Sequence, residues 1–218
     1  KGGRMKKKLL FTAIAGTLLA SSSVFAEDVK KFDVYTDKIS PSNHYAPSGW
    51  MGDRGDLYLN DESMETPKSG GTCIKIKYSG KKTANNGWAG VYWQSPANNW
   101  GSQKGGFDLT GFNKVVFSAR GKNGGETIAK VKVGGIGINS DVAYPDSSEK
   151  EGGPFVLTKD WQEFSVNLSG ADLSYINGGF SVIFASEQNP EGAEVYLDDI
   201  YFTNDSTLKD DASSTNFP

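Results

Sequence analysis

Cysteine and histidine are almost absent: the 218 residues hold one of each. With Cys73 alone no internal disulfide can form, so stability rests on the core. With His44 alone a histidine-based metal cluster is excluded. A Ser-His-Asp triad would have to use His44, which sits in a loop without a nucleophile elbow. Amphipathic helices are missing from the body of the chain. No repeat of constant period is visible, which argues against a parallel β-helix. No Glu-x-Asp-x-x-Glu pattern marks the paired carboxylates that glycosidases need.

Basic charge is scarce once the N-terminus is read for what it is. Residues 1–4 (Lys-Gly-Gly-Arg) look like an in-frame reading of an upstream ribosome-binding site, which puts the natural start at Met5. Residues 5–26 then read as a signal peptide: Lys6, Lys7 and Lys8, an apolar run over 9–19, and small residues up to Ala26. That run is too short to span a bilayer of about 30 Å comfortably, so no stable membrane insertion is expected after cleavage. Secretion or a periplasmic location is expected, with cell-surface association open. Cleavage removes Lys1, Arg4, Lys6, Lys7 and Lys8 and no acid, leaving 18 Lys and Arg against 26 Asp and Glu, or −8. An acidic balance argues against nucleic acid as a partner. Residues 204–218 are polar and aperiodic and are expected to form a flexible tail.

What the chain does have is aromatic side chains and glycine, 26 and 27 respectively. Over 27–203, short β-rich runs alternate with Gly, Asn, Asp, Ser and Pro. Strands are expected over 32–36, 56–59, 72–78, 88–94, 114–120, 127–133, 155–158, 162–168, 179–185 and 194–202. Ile74, Ile76 and Tyr78 alternate with Cys73, Lys75 and Lys77, as in a strand with one wet face. Ten strands and no helix predict an all-β domain, a two-sheet antiparallel β-sandwich of jelly-roll type.

The densest aromatic stretch is 87–101, with three of the five tryptophans. With period two, Trp88, Gly90, Tyr92 and Gln94 share one face and Ala89, Val91 and Trp93 the other. One face can enter the core while the other offers rings and an amide, a combination suited to a sugar. Trp88, Tyr92 and Trp100, with Gln94 and Asn99, are the expected ligand contacts, closed over by Tyr45 and Trp50 from a long loop over 40–56. A second long loop spans 134–153; long loops in compact domains are often functional. Arg120 and Glu126 flank a glycine-rich turn. They could form a surface pair, or line a pocket with Asp53 and grip hydroxyls.

Two acids, Asp198 and Asp199, interrupt an apolar run near the end of the domain. Buried unpaired carboxylates are costly, so each needs water, a cation or a metal. A structural calcium held by Asp198 or Asp199 with loop carbonyls and Asp33 or Asp37 is one expectation, a salt bridge the other.

Segments 47–53 (Pro-Ser-Gly-Trp-Met-Gly-Asp), 87–94 (Gly-Trp-Ala-Gly-Val-Tyr-Trp-Gln), 98–101 (Asn-Asn-Trp-Gly), 108–111, 119–126 and 196–200 (Tyr-Leu-Asp-Asp-Ile) resemble those of secreted bacterial domains similar to galactose-binding-like carbohydrate-binding modules. The resemblance covers about 45–202. It implies a jelly-roll sandwich, and a calcium near the first and last strands, where Asp198 or Asp199 occupies the matching place. The expected function is exported, non-catalytic binding of a polysaccharide or oligosaccharide. The alternatives are an extracellular self-associating filament or surface-layer subunit, and a glycoside hydrolase.

Overall fold

The computed structural model describes residues 28–208 together with Gly2. The expectations for 1–26 and for the tail beyond 208 lie outside the described residues, Gly2 apart.

Thirteen strands occur among the described residues: β1 Lys31–Tyr35, β2 Ala46–Gly52, β3 Leu57–Ser63, β4 Cys73–Tyr78, β5 Trp88–Gln94, β6 Lys114–Gly121, β7 Thr127–Ile128, β8 Lys130–Gly134, β9 Glu149–Gly152, β10 Phe155–Val156, β11 Gln162–Asn167, β12 Gly178–Ala185 and β13 Ala193–Thr203. The first sheet runs β11-β6-β13-β4-β3 and the second β2-β5-β12-β8-β9, while β7 and β10 form a small ribbon. All pairings are antiparallel. β13 is long enough to pair with β4 through residues 193–197 and with β1 through 200–203.

The inner faces of the two sheets meet in one aromatic and aliphatic core. Trp93 on β5 meets Phe180 on β12 edge-on at 5.4 Å, and Phe180 meets Phe117 of the other sheet at 5.5 Å. Phe117 in turn touches Phe155 and Phe164. Burial of these rings against Ile74, Ile76, Val91, Val115, Leu197 and Phe202 is what holds the layers together. Among the described residues no helix is long and apolar enough to cross a membrane.

Three expectations about elements are corrected. The segment 40–56 contains an edge strand, β2, although Pro47 and three nearby residues of turn type argue for a loop. A proline is tolerated there because the pairing with β5 shifts register between Pro47 and Gly49. The segment 134–153 likewise ends in the wholly polar edge strand β9. The run 127–133 breaks into β7 and β8, which belong to different sheets. In addition, the face of β4 expected to be wet is covered at Cys73 and Lys75, where Glu65 folds over it.

Candidate functional site

The outer face of the second sheet gathers exposed aromatic rings above an apolar floor. On β5 the side chains divide as period two requires. Ala89, Val91 and Trp93 are sealed in the core, and Trp88, Gly90, Tyr92 and Gln94 face outward. Trp88 is 36% exposed. Its indole rests against Gly52, where a Cβ would lie 2.9 Å from a ring carbon and 2.4 Å from the Trp88 carbonyl oxygen. Gly52 also has φ +61°, so both its conformation and its missing side chain serve the ring.

Two residues along β5 the floor flattens at Gly90. A Cβ there would meet Met51 Cε and Ile183 Cγ1, each at 3.0 Å. Met51 and Ile183 flank Gly90 in register, so the half-buried side chains make an apolar strip beside Trp88. Further along stands Trp100, 41% exposed, edge-on to Tyr92 at 6.1 Å. Trp88 and Tyr92 are four residues apart, about 13 Å along an extended strand. On the far side β8 and β9 supply a charged border. Lys130 pairs with Glu151 and Lys132 with Glu149, each at 2.7 Å.

Several expected ligand residues turn out to build this face rather than present themselves on it. Tyr92 shares the face but is only 4% exposed, because the loops after β5 and β8 close over it, and its hydroxyl donates to Gly134 O at 2.8 Å. Gln94 and Asn99 are buried in an amide cluster with Asn177: Gln94 Nε2 donates to Asn99 O at 3.0 Å, and Asn177 Nδ2 donates to the same oxygen at 3.0 Å. Tyr45 is a core ring whose hydroxyl donates to Ile176 O at 2.8 Å. Trp50 is 39% exposed but pairs in register with Val91, which puts it on the opposite side of the sheet from Trp88.

Arg120 and Glu126 neither pair nor join Asp53. Arg120 lies on the outer face of the first sheet, its guanidinium 3.8 Å from the Tyr196 ring centre and its Nη2 donating to Thr66 Oγ1 at 2.6 Å. Glu126 Oε1 accepts from Asn123 N at 2.8 Å and closes the glycine-rich turn. Asp53 is fully buried and accepts from Ala84 N, Asn86 N, Asn86 Nδ2 and Gly87 N, all within 3.1 Å. Burial opposes its ionisation, but these donors outweigh burial and hold the carboxyl below the usual range.

The acids expected to hold calcium are engaged by protein donors. Asp198 Oδ2 accepts from Lys68 N at 2.8 Å and Ser69 N at 3.2 Å, and its Oδ1 accepts from Asp199 N at 2.9 Å. Three backbone N–H donors thus take up most of the lone pairs of this carboxylate. Asp199 accepts from Ser69 Oγ at 2.6 Å, and Asp33 lies 3.1 Å from Lys31 Nζ. Among the described residues no three acidic, histidine or cysteine side chains gather as a metal would require. Burial nevertheless pushes the Asp198 carboxyl up to about 6, against the pull of those N–H groups.

Met51, Ile183 and the Lys–Glu border escaped the sequence reading. One signal for the border was present: Lys130 and Lys132 alternate in one segment, and Glu149 and Glu151 alternate in another.

Neither a protein-family model nor a curated protein matches this sequence. Solved structures do. A family 30 carbohydrate-binding module aligns over 87% of this chain and 93% of its own, with a TM-score of 0.53 and 16% identity. The family 30 module of the cellulosomal cellulase Cel9D-Cel44B of Clostridium thermocellum gives a TM-score of 0.55 at 15% identity, over 81% of this chain and 99% of that one. The chain has the β-sandwich fold of carbohydrate-binding modules. A family 11 module from Clostridium thermocellum, solved with a β-1,3-1,4-mixed-linked tetrasaccharide, shares the fold at a TM-score of 0.53 and 14% identity, over 82% and 96% of the two chains. Identities this low speak to the shared sandwich of the modules and leave the ligand of this chain to its own residues.

Proposed function

We propose that this chain is an exported, non-catalytic carbohydrate-binding domain that receives a polysaccharide or oligosaccharide along the outer face of the second sheet. The observation that carries the reading is Trp88, an indole left partly open on a rigid strand and seated on a glycine, with an apolar strip leading toward Trp100. A pyranose presents C–H groups to such rings and hydroxyls to the Lys–Glu border. The mixed-linked tetrasaccharide in a module of the same fold supports this class of ligand. The basic and apolar residues ahead of Ala26 support export. Glu149 and Glu151 are both engaged by lysines, which supports binding without hydrolysis, since glycoside cleavage needs two carboxyl groups free to exchange protons or attack.

Stacking contributes about 1 kcal/mol per ring, so two rings and a few hydrogen bonds give an affinity of roughly −4 to −8 kcal/mol, millimolar to micromolar. The test is retardation in native gels containing mixed-linked β-glucan, xylan or galactomannan. The wild type is expected to be slowed by at least one of them and Trp88→Ala to lose roughly tenfold in affinity, while the thermal midpoint moves by no more than a surface substitution allows. If no gel slows the wild type, the reading fails. It also fails if Trp88→Ala unfolds the domain. Size-exclusion chromatography of the same sample separates this reading from a self-associating structural subunit, which would elute as polymers.

A further inference from the structure

The loop between β4 and β5 is exposed along 81–86 yet held in a costly conformation. Lys82 and Asn85 have φ of 58° and 62°, and Gly80 and Gly87 are left-handed as well. For Lys82 that region costs about 1–2 kcal/mol, while Asn85, a residue type that tolerates it, carries less of that cost. Such a loop persists only if its surroundings over-determine it. Here two buried carboxylates do so. Asp56 Oδ2 accepts from Lys82 N at 2.7 Å, and Asp53 takes the N–H groups of Ala84, Asn86 and Gly87. From the other side Ser186 ties down Gly87 O through both its N–H, at 2.9 Å, and its Oγ, at 3.0 Å. The chain leaves this clamp directly into Trp88, whose carbonyl accepts from Asp53 N at 2.8 Å.

We propose that Asp53 is a positioning residue that fixes the Trp88 ring and a polar lip made by Asn85 and Asn86 as one preformed subsite. This rests on the reading of Trp88 as the ligand platform. The loop carries the chain from β4 in the first sheet to β5 in the second, so the clamp sits where the chain enters the strand that bears Trp88. Holding the lip in advance removes the ordering cost from the binding step, which is how a shallow face with few rings gains affinity. Asn86 Nδ2 is taken by Asp53 and Ala84 O, so Asn86 would offer a sugar hydroxyl its Oδ1 as an acceptor, and the Asn85 amide would both donate and accept.

The experiment compares wild type, Asp53→Asn and Asp53→Ala by two measurements. The first is the 15N order parameter of the Trp88 indole and the amide exchange of Ala84, Asn86 and Gly87 without ligand. The second is retardation in the mixed-linked β-glucan, xylan and galactomannan gels. Asp53→Ala is expected to loosen the indole, speed exchange of the three amides at least tenfold and weaken retention about tenfold. Asp53→Asn keeps one acceptor oxygen and should fall between. If the indole and the amides stay as ordered in Asp53→Ala as in wild type, the positioning role is overturned. It is equally overturned if they loosen while retention of the folded protein is unchanged. If wild type is not retained by any gel, the platform reading fails, whereas the order parameters still decide the clamp. Should Asp53→Ala not fold, Ser186→Ala removes one tie from the other side and must loosen the same amides.

Discussion

Gly52 and Trp88 form the smallest unit on which the site depends. The glycine lies on the edge strand and the indole on its neighbour, and the ring sits where any other residue would carry its Cβ. Gly52→Ala therefore acts twice. It costs about 1–2 kcal/mol because φ is positive, and it drives a methyl into the indole and the Trp88 carbonyl. The expected result is a thermal midpoint lowered by several degrees together with a shift in tryptophan emission, and weaker polysaccharide retention than the stability loss alone explains. Trp93, five residues further on, shows how little the residue type decides. Both are tryptophans on β5, but parity sends Trp93 into the core and Trp88 to the surface. That parity could be read from the sequence. What could not be read was Tyr92: its face was legible, but the cover over it includes the loop after β8, whose Gly134 carbonyl, 42 residues on, takes its hydroxyl.

At the scale of elements, the border of the face is an edge strand held by charge. β9 has no apolar side chain and is paired only to β8, so its place depends on the main-chain ladder and on Lys130–Glu151 and Lys132–Glu149. Each exposed pair contributes about 1 kcal/mol or less, and like charges on neighbouring strands cost a similar amount. Lys130→Glu should leave the midpoint of the whole domain within a few degrees of wild type while speeding exchange of the amides of 149–152. Unchanged exchange there would show that the ladder alone suffices. The same strand explains where sequence reading stopped. Ten strands with alternating or continuous apolar residues, such as β4, β6 and β12, announce themselves because one or both faces are buried. β2 and β9 lie at the edges, where Pro, Gly and charge are tolerated because half the backbone groups need no partner. Edge strands carry the rim of a site and least of the hydrophobic signal, so the fold was legible and the outline of the face was not.

For the whole molecule, buried carboxylates set how stability responds to acid. Asp146 and Asp198 are both pushed up to about 6, in each case by burial working against N–H donors, and for Asp146 the nearby Glu149 adds to the rise. Their folded forms bind protons more tightly than the unfolded chain, whose value lies near 3.8. Their contribution is therefore fully present below about 4 and is lost as pH rises through about 6. Glu194 has the opposite sign. It is held at about 2 by Tyr196, Lys75 and Lys122, although burial works against it, so its contribution is present above about 4.5 and is lost as pH falls toward 2. The two effects overlap between about pH 4 and 4.5. The thermal midpoint is expected to rise as pH is lowered from 7 to about 5 and to fall again below 4. Scanning calorimetry across that range checks the shape. Asp198→Asn should then flatten the rise between pH 7 and 5, because it removes one of the two groups that take up a proton there, and leave in place the acid limb, to which Glu194 and the other lowered carboxyls such as Asp53 contribute.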